Sequence, residues 1–198
     1  AEPWDDLKHA SKDVDSIRFF EDEESYDTSA VRVITVGVDV QQTRLECYWW
    51  GWTDMEESYL LRFEVVAGSP LADSTWQELA KLLRDHITLS DDRQVLPRAY
   101  FIDSGGADGV TSRVYRFTKP LERHRVYAIK GRGGDMADII SPIKRTNHER
   151  APLIEIGTHT AKRICTERLH FEAGSGAGEV HLPSWAQGEI WEQLTSER

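Results

Sequence analysis

Two aspartates, Asp39 and Asp103, each close a run of apolar residues, Val36-Gly37-Val38-Asp39 and Tyr100-Phe101-Ile102-Asp103. An ionised carboxylate in such company is costly unless a cation, a metal or several hydrogen bonds compensate it. If the two runs are neighbouring strands, their terminal acids converge at one sheet edge and offer hard oxygen ligands to Mg²⁺ or Mn²⁺. The ion then gives a physical reason for two like charges to stand together. Such a centre can generate the nucleophile for phosphodiester hydrolysis and steady the attacking and leaving oxygens. The plainer reading is that each Asp only caps a turn. Two of them on separate core strands tip the balance towards a site.

Other residues carry weaker signals. Lys130 ends the run Val126-Tyr127-Ala128-Ile129 and precedes Gly131-Arg132-Gly133-Gly134; it suits a phosphate contact or the positioning of water, and equally an exposed strand-end cation. That glycine cluster fits neither GxGxxG nor GxxxxGK[ST], so these residues hold no ATP-binding loop. Arg132, Lys144, Arg145 and Arg150 are candidate contacts to a nucleic-acid backbone, with solvated loop charges as the default. His159, near Lys162, has three readings: metal ligand, proton-transfer group, or polar residue at a helix start, the last favoured. Ser104 lacks a His-acid relay by spacing. The seven His and two Cys show no CxxC or HExxH, which leaves structural zinc without a motif. Trp49, Trp50 and Trp52 could stack on bases, but strand alternation assigns them to packing.

These candidates need elements to position them. Val31–Val40, Arg44–Trp52 and Ser58–Val66 read as three successive strands of an antiparallel meander. Trp76, Leu79, Ala80, Leu82 and Leu83 then mark a helix over Ser74–Ile87, capped by Asp73 or Ser74. After the polar stretch Thr88–Val95 comes the short buried strand Arg98–Asp103, stopped by Ser104-Gly105-Gly106. A helix over Thr111–Leu121 ends near Lys119 because of Pro120. Arg125–Lys130 is the next strand, followed by Gly131–Arg150, charged, glycine-rich and expected to be mobile. Leu153–Ile156 forms another strand or strand end. A helix runs from Thr158 or Thr160 to Leu169, and Val180–Pro183 and a short helix over Glu189–Leu194 finish the chain. The string βββαβαβαβ predicts a mixed α/β sheet, a meander on one side and helical crossovers after it.

Length and charge bound the function. At 198 residues one core suffices, and a net charge of −10 by itself argues against a polyanionic partner. The excess is local, however. Residues 1–30 hold ten acids and three bases, leaving 24 acids and 21 bases for the rest; Arg113–His170 holds thirteen bases against six acids. A basic face therefore remains available. Cys47 and Cys165 do not form a disulfide framework, no apolar run reaches the roughly 18 residues of a membrane span, and the first residues lack signal-peptide character. A reducing, intracellular compartment is expected.

In order along Val31–Leu194, the segments Gly37-Val38-Asp39-Val40-Gln41, Arg44-Leu45-Glu46, Gly51-Trp52 with Glu56-Glu57-Ser58-Tyr59-Leu60, Ile102-Asp103-Ser104-Gly105-Gly106, Val126-Tyr127-Ala128-Ile129-Lys130-Gly131 and Ile156-Gly157-Thr158-His159-Thr160-Ala161-Lys162 resemble the carboxyl-terminal nuclease domain of lambda-type phage or prophage terminase large subunits. The resemblance implies an RNase H-like nuclease fold. It implies a divalent-metal-dependent DNA endonuclease, using one or two Mg²⁺ or Mn²⁺ ions, that cuts concatemeric double-stranded viral DNA during genome packaging. Asp39 and Asp103 match the family's acids on its first and central strands. Lys130 falls in the matching Ile-Lys-Gly segment, with a substrate-positioning or supporting role. His159 departs from the pattern, standing where the lambda protein has an acid.

Residues 1–30, polar and acidic, read as a leader or interdomain linker ahead of a 31–198 nuclease domain; a further family acid lies in a downstream helical motif with no counterpart before Arg198, so the resemblance implies that this domain lacks its final helix. Glu189 and Glu192 are spatial substitutes without a motif. The implied partners are double-stranded DNA, a small terminase subunit and a capsid portal, in the cytoplasm of the bacterial host, with no membrane. Two rival readings remain: a non-catalytic RNase H-like module that binds DNA or packaging partners, and a metal nuclease acting on RNA or branched DNA.

Overall fold

The computed structural model describes residues 20–106, 109–134, 138–145, 148–188 and 190–192. Its strands are β1 (Phe20–Glu21), β2 (Val33–Val40), β3 (Arg44–Trp52), β4 (Ser58–Ala67), β5 (Ile87–Thr88), β6 (Gln94–Val95), β7 (Ala99–Asp103), β8 (Val126–Arg132), β9 (Leu153–Gly157) and β10 (Val180–Pro183); its helices are α1 (Asp73–Leu82), α2 (Val110–Thr118) and α3 (Thr158–Leu169). Eight strands form one sheet in the order β1-β10-β4-β3-β2-β7-β8-β9, and β5 and β6 form a separate hairpin. The meander β2-β3-β4 is antiparallel, whereas β7, β8 and β9 continue parallel to β2. Five of these strands thus lie in the order third, second, first, fourth, fifth, with only the second reversed. This is a mixed α/β fold of the RNase H-like kind.

Strand alternation sorts the sheet into two unequal faces. Ile34, Val36 and Val38 of β2 point the same way as Cys47 and Trp49 of β3, Tyr100 and Ile102 of β7 and Ala128 of β8, and this face forms the larger core. Helices α1 and α2 cover it with Trp76, Leu79, Val110, Val114 and Tyr115. The opposite face has a smaller cluster, Leu60, Leu182, Ala186, Ile190 and Trp191, joined by Phe20, Tyr48, Trp50, Phe63 and Leu169. Trp49 and Trp50 accordingly bury on opposite faces. Trp49 is fully buried under the Arg62 guanidinium, 5.0 Å from the ring centroid, so packing is its role.

Several boundaries differ from the sequence expectation. Helix α1 ends at Leu82 because Ile87 pairs with Val95 in the β5-β6 hairpin, and its N-cap is Ala72 without a side-chain cap. Leu153–Gly157 is a full strand beside β8, so two strands and not one separate α2 from α3. The segment expected to be mobile before it is partly tied down: Ser141 N–H donates to Glu155 O and Gly157 N–H to Ile139 O, so residues 138–145 run along the β9 edge. Order also begins before Val31, since Phe20 pairs with Leu182 and the Tyr26 hydroxyl donates to Leu60 O and His181 O. Of the expected terminal helix, residues 190–192 are helical; Glu189, Gln193 and Leu194 lie outside the described residues, as do residues 1–19 of the acidic leader.

Candidate active site

Parallel pairing of β2 with β7 matches Thr35 to Ala99, Val36 to Tyr100, Gly37 to Phe101 and Val38 to Ile102. One further step places Asp39 level with Asp103. Both residues alternate onto the face opposite the larger core, and both are half-buried. The expected cost of burial is thereby reduced: their apolar chain neighbours Val38 and Ile102 face away, into the core. Between β2 and β7 the sheet also reverses its direction of growth, with β2 leading outward to β3 and β7 to β8. The carboxyl ends of strands at such a switch point form the natural ligand crevice of an open α/β sheet.

Local hydrogen bonds orient the pair. The Gln41 amide donates to Asp39 Oδ2, and the Gly105 backbone N–H donates to Asp103 Oδ1 at 2.9 Å. A Cβ on Gly105 would sit 3.3 Å from that oxygen, so glycine lets the loop close on the acid. Ser104 serves the backbone: its buried hydroxyl donates to Ile129 O at 2.7 Å, which removes it as a nucleophile. Gly37, two residues before Asp39 on the same face, has nothing within 4 Å of where a side chain would begin. A hollow therefore opens beside the acids.

A third acid was not singled out from the sequence. Glu46 of β3 pairs directly with Asp39 across the ladder, making a row of three carboxylate residues, Asp103, Asp39 and Glu46, on adjacent strands. Glu46 is only 3% exposed; Arg44 Nε lies 2.6 Å from Oε1, and the Tyr48 hydroxyl donates to Oε2 at 3.2 Å. The signal was the short Gln41-Gln42-Thr43 turn, whose length sets Val40 against Leu45 and hence Asp39 against Glu46.

The expected cations are arranged differently. Lys130 is exposed, and alternation from Ile129, the register partner of Asp103, puts it on the other face, level with Glu155. Glu155 gathers Lys144 Nζ at 2.5 Å and Arg132 at 3.7 Å; the Lys144 hydrogen bond, with these neighbouring cations, holds the Glu155 carboxyl below its ordinary range. Arg145 pairs with Glu122, and Arg150 is exposed with a left-handed backbone. Helix α3 leaves β9 at the same sheet edge as the acids and carries exposed His159 and half-buried Lys162 in its first turns. Its Leu169 packs on the acid-bearing face. Glu192 is exposed on the terminal helical turn.

Two further features lie away from this edge. A cavity of about 610 Å³, lined by Arg84, Arg98, Arg123, Arg125 and Tyr100, sits towards the amino ends of β7 and β8. Among the described residues, a candidate metal-binding cluster, Glu57, Glu179 and His181, has ligand atoms mutually within 4.8 Å. It stands by the start of β4, level with Val33, the first residue of β2, so about 20 Å of strand separates it from Asp39.

The donor set at Asp39 and Asp103 fits a hard divalent cation: adjacent carboxylates at a ligand edge, with no Lys or Arg paired to Asp39 among the described residues. Among those residues no helix is long and apolar enough to cross a membrane.

The chain is 30% identical over 136 residues to the terminase large subunit of Enterobacteria phage P21, covering 69% of this chain and 21% of that protein. It is 28% identical over 157 residues to the terminase large subunit of Escherichia phage lambda, covering 78% and 24%. The chain thus spans about a fifth to a quarter of these relatives. Among solved structures, the Mn-bound nuclease domain of the bacteriophage SPP1 large terminase g2p is similar at a TM-score of 0.40 and 12% identity, covering 90% of this chain and 78% of that one. RuvC of Thermus thermophilus is similar at 0.34 and 18%, covering 50% and 64%. The family model described as the terminase large subunit gpA endonuclease domain matches residues 1–198, and the chain belongs to that family.

Proposed function

We propose that this domain is a divalent-metal-dependent endonuclease that cuts concatemeric double-stranded viral DNA, with Asp39 and Asp103 holding one or two Mg²⁺ or Mn²⁺ ions. The observation that carries the reading is the level placement of these acids on adjacent parallel strands at the sheet's switch point, in a chain of the terminase endonuclease family. A bound Mg²⁺ or Mn²⁺ supplies activated water at neutral pH and offsets the charge of the phosphodiester. The chain's residues fix the geometry. Gln41 and Gly105 orient the carboxylates, Gly37 leaves room for the DNA backbone, and the buried Glu46 stays tied to Arg44 and Tyr48. Lys162 and His159, on the helix leaving the same edge, are the closer candidates for phosphate positioning than Lys130 on the opposite face. In-line attack leaves 5′-phosphate and 3′-hydroxyl ends. Family membership supports action beside a small terminase subunit and a capsid portal, with the packaging ATPase supplied by another part of the full-length protein.

Plasmid nicking in Mn²⁺ tests the assignment. Asp39→Asn and Asp103→Asn should each abolish cleavage while DNA binding persists; unchanged cleavage by both variants would sink it. The rival, a non-catalytic binding module, predicts instead that wild type binds DNA without cleaving it at any Mn²⁺ concentration.

A further inference from the structure

The geometry points to a second divalent-cation site, formed by Glu57, Glu179 and His181, that takes Zn²⁺ and fastens the outer edge of the sheet. It is independent of the proposed nuclease centre. The three residues come from different places: Glu57 precedes β4, Glu179 precedes β10, and His181 lies within β10 beside Tyr59 of β4. Their ligand atoms lie within 4.8 Å of one another. Imidazole nitrogen and carboxylate oxygen are both Zn²⁺ ligands, and three protein ligands leave the fourth position of a tetrahedral site for water.

Three observations distinguish this group from an ordinary cluster of charges. First, Glu21 Oε1 lies 2.6 Å from His181 Nδ1, the arrangement in which a carboxylate behind an imidazole fixes its tautomer and presents the other nitrogen to a metal. That other nitrogen, Nε2, is shielded from solvent and has no hydrogen-bond partner among the described residues. The ring itself is 13% exposed and stacks on Tyr59, with centroids 4.1 Å apart and planes within 5°. Second, Glu179 is 7% exposed and prearranged: Gly174 N–H donates to Oε1 at 2.9 Å and Gly176 N–H to Oε2 at 3.1 Å. Each of its oxygens keeps a lone pair.

Third, the charges do not balance without a cation. Glu21, Glu57 and Glu179 converge here, and among the described residues no Lys or Arg forms an ion pair with any of them. Buried carboxylates without a basic partner are expensive. A divalent ion would offset two of these three charges and join β10, the start of β4 and, through Glu21, β1. Only short pairings hold this edge: two residues of β10 on β4 and two of β1 on β10.

The test uses the Asp39→Asn/Asp103→Asn double variant, so that the proposed catalytic centre does not contribute. After chelator treatment, Zn²⁺, Mn²⁺ and Mg²⁺ are titrated separately by calorimetry, with bound metal counted by mass spectrometry. One equivalent of Zn²⁺ should bind, more tightly than Mg²⁺, and raise Tm by about 5–10 °C at a hundredfold excess over Kd. Adding Glu57→Gln or His181→Gln should weaken Zn²⁺ binding at least tenfold and erase that rise. Glu57 is half-buried in a turn, so its Gln variant reports on binding even if His181→Gln loosens the edge. No Zn²⁺ uptake by the folded double variant, preference for Mg²⁺, or uptake that survives either added substitution overturns the site.

Discussion

Asp39 and Asp103, 64 positions apart in the chain, stand level on adjacent strands because every residue of β2 that pairs with β7 is matched to the residue 64 positions later. Their side chains therefore share one face without a special loop to bring them together. Close like charges in the absence of a cation are mutually unfavourable. In EDTA, Asp39→Asn and Asp103→Asn should melt at or slightly above the wild-type Tm, by up to about 2 °C. Adding Mn²⁺ should raise wild-type Tm further than that of either variant. Scanning calorimetry with and without Mn²⁺ checks both signs; equal Mn²⁺ responses in all three proteins would show that the acids do not share an ion.

Gly37 offers a cleaner separation of fold from function. A Cβ there meets nothing within 4 Å, and its position in β2 favours a β-branched side chain over glycine. Gly37→Val should leave Tm unchanged or raise it by about 1–3 °C. The same side chain fills the hollow beside Asp39 and should reduce DNA cleavage at least tenfold. Cleavage at the wild-type rate would place the substrate path elsewhere.

The pair of acids was legible in the sequence because each ends an apolar run, and a strand's carboxyl end is marked by where that run stops. Glu46 was not legible in the same way. It sits mid-strand in Leu45-Glu46-Cys47, and only the turn length and pairing register reveal that it borders Asp39. Lys130 shows the limit of reading by position in sequence: it follows a matching strand end, and alternation from Ile129 turns it to the other face. The two-residue β1 was hidden for a different reason, since Phe20-Glu21 has no period to detect and gains its conformation from pairing with Leu182-Pro183. The Glu57, Glu179 and His181 cluster has no motif spacing either; tertiary pairing of β10 with β4 assembles it.

Glu46 yields a stability prediction. Its buried carboxylate borders Asp39 and is compensated by Arg44 and Tyr48. Arg44→Met removes the cation and should destabilise the domain by about 1–3 kcal/mol, the cost of a buried charged group losing its partner, with the lower end favoured because Arg44 is partly exposed. Adding Glu46→Gln removes the uncompensated charge, so the double variant should recover part of the loss. Urea denaturation of the two single variants and the double variant measures the coupling; strict additivity would mean that the pair is not coupled.

Glu155 governs how many cations the later half of the chain can offer to DNA. It draws in Lys144 and Arg132, and the Lys144 hydrogen bond leads the depression of its pKa. Because the folded-state pKa lies below the unfolded one, the pairing contributes to stability above the unfolded value of about 4.3 and is lost as pH falls through the folded value. The melting difference between wild type and Glu155→Gln should accordingly be present at pH 7 and close below about pH 4. At neutral pH, Glu155→Gln releases both cations. If this loop meets the phosphate backbone, DNA affinity should rise, and the slope of log K against log salt should steepen by up to about 1.8, about 0.9 for each cation gained. Filter binding across a salt series measures this, and an unchanged slope would place the loop off the DNA path and leave phosphate positioning to α3.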